Sequence, residues 1–353
     1  MKKKQLIVGL VVLAVLVALV IWGRDRIHFD FGVFRAQLAL ADWGKIALGA
    51  ACIYIGYAFR AARWAMLLRH NKKVPLFSLL GTQVIGFTAV ALIGRIADPV
   101  RPYLVAKKTG LPVSNQIAVY IVERLFDAGS MALIFSSAIL LAPAGSLPHA
   151  EAVRRTGLVS MALTVAGAIF LISVRLAGGA VASFFERTLG MISEKIGKSV
   201  GEKIRTFRAG LDTMRSFSDF GIAAALSLSM WLLICLAYFE TTRSFTASSQ
   251  LSSITIAQCV VLMAVSGAAS SGQLPIIGWF SQIAIVAAAM ANFFGASAEA
   301  STACAATLLL VTFLGIVPVG LIWAQFEHVS LRKVTVESEH AEEELTESGP
   351  GTI

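Results

Sequence analysis

Charged side chains are scarce in this sequence, at 14% of 353 residues, whereas soluble globular domains carry roughly 25%. Together with 57% hydrophobic residues, this excludes an ordinary soluble protein, a disordered protein and a nucleic-acid-binding domain. Cysteine is also rare, and the four cysteines lie far apart within apolar stretches, which excludes a disulfide scaffold and a cysteine metal site. The sequence lacks paired histidines at metal spacing, a phosphate-binding P-loop and a nucleophile elbow, so we expect neither a metal nor another cofactor.

Long apolar runs replace the missing charge. Residues 6–22, 222–239 and 302–323 each approach the ~20 residues that cross a ~30 Å hydrocarbon core. The first run ends in Trp22 and Gly23 without a small-residue cleavage site, so it is interpreted as a retained helix. Further apolar segments are 44–68, 77–94, 117–142, 157–177, 254–271 and 279–297. The pattern predicts an all-α polytopic membrane protein over 1–330 and a disordered acidic tail over 331–353.

Two segments are too rich in glycine and polar residues for simple spans, namely 77–94 and 254–297. We predict re-entrant or broken helical hairpins there; the alternative is tightly packed helices. With six full spans and two hairpins, 19 Lys and Arg lie on one side and 7 on the other. The positive-inside rule then puts both termini in the cytoplasm. Broken segments of opposite sidedness in the two halves are expected of an inverted repeat with its site between them.

The stretch 178–219 differs from the spans. Apolar residues recur every three or four positions among lysines and arginines, which predicts an amphipathic connector on the cytoplasmic surface with breaks at Gly197, Gly201 and Gly210. It either docks to anionic headgroups, binds a cytoplasmic or membrane partner, or is a solvated linker.

Three clusters place charge where a bilayer makes it costly. The first is Arg60, Arg63 and Trp64, on one helical face, where two guanidinium groups suit a phosphate. The alternative is that both arginines snorkel to the headgroups.

The second cluster follows the first polar segment. Arg95 and Arg101 flank Asp98, next to a proline that breaks the helix and frees backbone amides. This predicts an anion site with Tyr103 beside it; an ordinary basic loop is the alternative.

The third cluster is Glu123, Arg124 and Asp127 inside a span. Glu123 and Asp127 share a face, and such groups must pair within the bundle, with Arg60, Arg63 or Arg101 as expected partners. A purely structural charge network is the alternative role.

These clusters carry a resemblance. The run Arg60-x-x-Arg63-Trp64, then Arg95-x-Ala97-Asp98-x-x-Arg101-Pro102-Tyr103, then Glu123-Arg124-x-x-Asp127 resembles the lysylphosphatidylglycerol synthase transmembrane-region family, also called flippase-like domain proteins. Order and spacing match over about 50–130, and hydropathy matches over most of 1–330. The second-half signature is partly kept as Gln273, Pro275, Gly278 and Gln282. Asp98 and Gln282 stand where the family commonly has Glu, and the second change removes a charge.

The resemblance implies a bacterial inner-membrane protein that handles anionic or polyprenyl-linked phospholipids and moves them between leaflets. The soluble synthase domain of fused members is not in this sequence, so we expect transport and not lipid synthesis. We therefore predict a flippase-like protein whose arginine-lined cavity binds a membrane phospholipid. The alternatives are a membrane transferase acting on a lipid phosphate, with Asp98, Glu123 or Asp127 as general base, and a non-transporting scaffold.

Overall fold

The computed structural model describes residues 29–143, 150–211, 216–271, 277–331 and 333–338. All regular structure in these ranges is helical, which confirms the predicted fold class. The helices are α1 Phe31–Ala39, α2 Trp43–Leu68, α3 Leu76–Ile93, α4 Val100–Thr109, α5 Val113–Leu140, α6 Ala150–Gly190, α7 Glu194–Leu211, α8 Phe217–Arg243, α9 Ser249–Ser252, α10 Ile256–Ser271, α11 Ile277–Phe294, α12 Ala298–Leu309 and α13 Ile316–Phe326.

Six helical stretches among the described residues are long and apolar enough to cross a membrane. They are Trp43–Leu68, Leu76–Ile93, Glu151–Phe170, Phe217–Arg243, Ile277–Phe294 and Ala298–Phe326. The last continues from α12 to α13 through one π turn. The predicted first span, 6–22, lies outside the described residues.

Helices α3 and α4 form an antiparallel hairpin. Gly94 ends α3 with φ 96°, a left-handed conformation that favours glycine, and a 3₁₀ turn at Arg95–Ala97 leads into α4. Lys108 Nζ donates to Ser78 O at 3.1 Å, so both outer ends of the hairpin lie on the same side of the protein. Helix α3 is continuous over the segment 77–94, so the turn of the predicted hairpin follows that segment, between α3 and α4.

The glycines of α3 are packing positions. A Cβ on Gly86 would overlap the Arg101 side chain, and one on Gly81 would overlap Trp323. Glycine therefore lets α4 and α13 approach α3 closely, as the alternative of tight helix packing requires.

Helices α10 and α11 form the second hairpin, with Gln282 Nε2 donating to Ser266 Oγ at 3.0 Å across it. Gln273 and Pro275, which the sequence places in its turn, lie outside the described residues. The two hairpins meet near their turns. Arg95 of the first donates to Ser270 O and Oγ, both at 3.2 Å, and Trp279 Nε1 donates to Ala91 O at 3.2 Å.

The loops gather on two faces. The basic face contains the loops around 69–75, 110–112 and 326–331, joined by the pairs Arg69–Asp219 and Lys108–Glu327. The opposite face contains 29–42, 244–255 and 295–297, where Asp42 N donates to Ser244 O at 2.8 Å. The first hairpin has its ends on the basic face and the second has its ends on the opposite face. That the basic face is cytoplasmic stays a prediction.

The predicted connector is a helical hairpin, not one helix. Helix α6 kinks at Ala177 and runs to Gly190, and α7 folds back along it. Arg205 joins the arms by donating to both carboxylate oxygens of Glu186, at 2.6 and 2.8 Å. The breaks expected at Gly197 and Gly201 do not occur, because both residues lie inside α7 against Glu186 and Gly190.

The start of the acidic tail also differs from prediction. Residues 333–338 are helical, and Glu337 accepts a hydrogen bond from the Tyr103 hydroxyl at 3.0 Å. This contact ties the segment to α4, which corrects the predicted start of disorder at 331. Residues 339–353 lie outside the described residues.

Candidate functional site

A buried ion-pair network lies where α2, α4 and α5 meet. Glu123 of α5 is its centre and is almost inaccessible to solvent. Arg101 of α4 donates from Nη2 to both oxygens of Glu123, at 2.7 and 2.8 Å, and Arg63 of α2 lies 2.9 Å from Oε1. The carboxylate of Glu123 thus joins both α2 and α4 to α5.

Asp127, one turn further along α5, is the second anion. Arg63 Nη1 donates to its Oδ1 at 2.7 Å and also to Ser227 Oγ at 2.5 Å. Trp231 Nε1 approaches the same oxygen at 3.3 Å. Ser227 and Trp231 belong to α8, so this carboxylate connects α8 with the first half of the chain.

Arg60 and Arg124 contact both carboxylates. Arg60 Nη1 lies 3.3 Å from Glu123 and 3.4 Å from Asp127. Arg124 Nη2 lies 2.9 Å from each. The network therefore holds four guanidinium groups and two carboxylates, an excess of two positive charges.

Aromatic rings and amides complete the surroundings of Arg101. Its guanidinium lies 4.4 Å from the ring centre of Phe87 and 5.4 Å from that of Trp64. Its Nε donates to Gln83 Oε1 at 3.0 Å, and Trp64 Nε1 donates to Gln116 Oε1 at 3.1 Å. Ring faces and amide oxygens stabilise a buried cation without adding negative charge.

A cavity of about 200 Å³ lies beside the network. Three guanidinium groups border it: Arg60 and Arg124 from the network, and Arg95 from the turn of the first hairpin. Its remaining walls come from α2, α3, α8, the second hairpin and the π turn, and include Tyr57, Phe87, Met230, Trp231, Tyr238, Ser266, Ser270, Gln282 and Phe313.

Arg95 also borders a second cavity, of about 300 Å³, on the other side of the hairpin turn. Its walls are Ile96, Asp98, Pro99, Pro102, Ile117 and Tyr120. Among the residues that the structure describes, Arg95 is the one that the two cavities share. Asp98, the nearest anion, lies 3.7 Å from Arg95 Nη1.

The structure divides the arginines that were predicted to bind phosphate. Arg60 and Arg95 border the first cavity, whereas Arg63 and Arg101, at 1% and 0% exposure, face the carboxylates and border neither cavity. Trp64 is buried beside Arg101, which also separates it from the cavities.

Other predicted residues fall in different places. Tyr103 points to Glu337 near the basic face, and Asp98 is outside the carboxylate network. Arg124, predicted only for the network, also borders the cavity. In the second hairpin Gln282 borders the cavity and Gly278 is buried in α11.

Four site residues were not identified from the sequence: Gln83, Gln116, Ser227 and Trp231. Each is a polar or amphipathic residue inside an otherwise apolar helix, which is the signal that could have found them. Their contacts join helices distant in sequence, so spacing alone does not pair them.

Comparison with known proteins gives a family. Residues 6–320 match the family described as the lysylphosphatidylglycerol synthase TM region, which confirms the resemblance drawn from the motifs. No curated protein and no solved structure matches the chain. Since the match covers most of the sequence, the chain belongs to the lysylphosphatidylglycerol synthase transmembrane-region family, whose members are multi-pass, lipid-related membrane domains.

Proposed function

We propose that this protein binds the phosphate of an anionic or polyprenyl-linked phospholipid in the arginine-bordered cavity and translocates the lipid between leaflets of the bacterial inner membrane. The observation that carries the proposal is the convergence of Arg60, Arg95 and Arg124 on one cavity, which is partly open to the surface. A lipid phosphate is the common membrane anion that suits guanidinium groups.

The charge balance of the neighbouring network supports an anionic ligand. Its two excess positive charges are costly in a low-dielectric bundle unless an anion lies nearby. Among the arginines of the network that border the cavity, Arg124 has an Nε–H group that makes no hydrogen bond within the described residues. A phosphate at the cavity wall would offset the charge of the network and supply an acceptor on the side of Arg124.

The contacts of the carboxylates favour translocation over the transferase alternative. Glu123 faces four guanidinium groups and Asp127 faces three, so both carboxylates are already engaged in ion pairs. Asp98, the third candidate base, borders the second cavity, and among the described residues no carboxylate borders the arginine-bordered cavity, where a transferase would need a free general base. A scaffold, the other alternative, has no use for arginines that border a cavity.

Arg95 gives the sharpest test, because it borders the cavity without contacting Glu123 or Asp127. In proteoliposomes with a labelled anionic phospholipid, Arg95→Gln should slow leaflet exchange roughly 10- to 100-fold, as expected for the loss of a charged hydrogen bond. Arg95→Lys should be intermediate, because lysine keeps the charge and loses the bidentate fork.

Two controls separate ligand binding from structure. Ser270→Ala removes one of the two hydrogen bonds from Arg95 to the second hairpin, keeps the one to the Ser270 carbonyl, and should leave most of the exchange intact. Lys107→Gln removes an exposed charge on the basic face and should have no effect. Equal exchange by wild type and Arg95→Gln would contradict the cavity proposal, and lipid conversion in detergent without a bilayer would favour the transferase.

A further inference from the structure

The tip of the α6–α7 hairpin carries an apolar cluster that the bundle does not cover. Met191 and Ile192 in the turn are 83% and 81% exposed, and Ile196 in the first turn of α7 is 51% exposed. Large aliphatic side chains so exposed in one short turn are typical of a surface that meets something apolar.

Positive charge surrounds this tip. Arg187, Lys195 and Lys198 are all exposed; Glu194 pairs with Lys198 at 2.8 Å, and Glu186 pairs with Arg205 at 2.6 Å. Two positive charges near the tip are left over. A patch that is both apolar and basic matches the interface of an anionic lipid leaflet, where acyl chains lie under negative headgroups.

The base of the α6–α7 hairpin lies beside the basic face of the bundle, where the surface of the membrane is expected. Val174 and Ala182, on either side of the kink at Ala177, pack in one core cluster with Leu68 and Leu79, which flank the 69–75 loop on the basic face. Ile204 of α7 joins the same cluster. The tip, twelve residues before Ile204, lies about 18 Å from Ile204 along α7 at the helical rise per residue.

We infer that Met191, Ile192 and Ile196 insert into the headgroup region of an anionic leaflet, on the basic face of the bilayer that the chain spans. The helix changes direction at the end of its span, so its distal arm can follow the membrane surface. The tip then acts as a second, lipid-selective anchor, separate from the arginine-bordered cavity and independent of the proposed translocation.

The experiment uses the full chain with a single cysteine. Ile192→Cys, in a background without the four native cysteines, is labelled with a polarity-sensitive fluorophore and reconstituted in phosphatidylcholine vesicles with or without phosphatidylglycerol. With phosphatidylglycerol we expect a blue-shifted emission, quenching by a lipid-borne quencher and protection from aqueous iodide. Glu202→Cys, at an exposed position of α7 that lies about 120° around the helix from Ile196, is the control and should stay open to iodide.

Charge removal tests the anionic part of the inference. Lys195→Gln should lower the ratio of inserted to free tip about fivefold, the effect of one interfacial charge, and high salt should act in the same direction. If iodide quenches the label at 192 fully in both vesicle types, the tip stays in water; this would overturn the inference and favour a soluble partner. Equal insertion in both vesicle types, unaffected by Lys195→Gln, would overturn the selectivity for anionic lipid.

Discussion

Glu123 is the residue on which most of the buried charge depends. Glu123→Gln leaves Asp127 facing three guanidinium groups and removes the carboxylate that pairs with Arg101, and breaking a buried ion pair costs on the order of 3–5 kcal/mol. We expect a lower melting temperature in detergent, partly restored in Glu123→Gln/Arg101→Gln, because that double variant also removes a cation. Asp98→Asn is the control: Asp98 has one cation at 3.7 Å and should change stability little. Wild-type stability of Glu123→Gln would mean that the ion pairs contribute nothing to the fold.

The same network shows which contacts the residue types alone predict and which they do not. Carboxylates within a span must pair, so the sequence indicated that Glu123 and Asp127 would find arginines of α2 or α4. It did not tell which arginines face the carboxylates and which face the cavity, because that depends on the rotation of α2 about its axis. Nor does the sequence disclose the contribution of Ser227 and Trp231, which depends on the packing of α8 against α5.

Among the elements, the α6–α7 hairpin depends on close approach of its two helices. A Cβ at Gly197 would lie 2.6 Å from Glu186 O and 2.8 Å from Gly190 N, both backbone atoms that cannot move aside cheaply. Gly197→Ala should therefore push the two arms apart. The expected destabilisation of the hairpin is roughly 1–3 kcal/mol, the usual range for overpacking. We expect faster amide exchange in α7. Gly179→Ala, where a Cβ meets nothing within 4 Å, is the matched control and should be neutral or slightly stabilising. Slow exchange in both variants would rule out this role of Gly197.

The hairpin should also respond to acid. The hydrogen bonds from Arg205 lower the pKa of Glu186 below its ordinary value of 4.5. A carboxylate with a lowered pKa stabilises the folded contact fully above 4.5, and that contribution is lost as pH falls through the folded-state value. The distance between spin labels on α6 and α7 should therefore widen at acidic pH. In Glu186→Gln, which lacks the carboxylate, this distance should be wide already at neutral pH and should not respond to acid. A wild-type distance that does not change down to pH 3 would contradict the prediction.

Element boundaries show why the sequence interpretation succeeded in part. Glycine and proline after α3 correctly indicated a turn, since Gly94 takes a positive φ and Pro99 precedes α4. The glycines within α3, and those within α7, have ordinary helical surroundings in sequence. Whether such a glycine breaks a helix or receives a neighbouring one is decided by the partner helix, which local composition does not contain.

At the scale of the whole molecule the two halves have comparable parts. The first contains α2, the α3–α4 hairpin and α5; the second contains α8, the α10–α11 hairpin and the α12–α13 span. The hairpins open to opposite faces and meet through Arg95–Ser270 and Trp279–Ala91, next to the cavity. This is the arrangement that an inverted repeat predicts, and it puts the proposed lipid site where movement of either hairpin would change access.

Sidedness is the whole-molecule property that remains a prediction, and single cysteines can test it. All four native cysteines are buried, so an aqueous reagent does not reach them. A single cysteine at an exposed position can therefore report sidedness. Cysteine at Lys107 or Lys195 should react with an impermeant reagent from the cytoplasmic side, and cysteine at Arg154 or Ser249 from the external side. Arg101, at 0% exposure, cannot serve as a reporter of the first hairpin, whereas Lys107 near the end of α4 can.

The informative comparison is Lys107 against Lys73, an exposed residue of the loop that precedes α3. Helix α3 is long and apolar enough to cross a membrane by itself, so composition alone allows a topology in which α3 crosses. The contacts Lys108–Ser78 and Lys72–Thr109 bring the end of α4 back to the start of α3, and α5 then crosses to the opposite face. Labelling of 107 and 73 from the same side is therefore the expected result, with 154 on the opposite side because α5 crosses between 107 and 154. Labelling of 107 and 73 from opposite sides would mean that α3 crosses without return, and the two-hairpin architecture, with the cavity between the hairpins, would have to be abandoned.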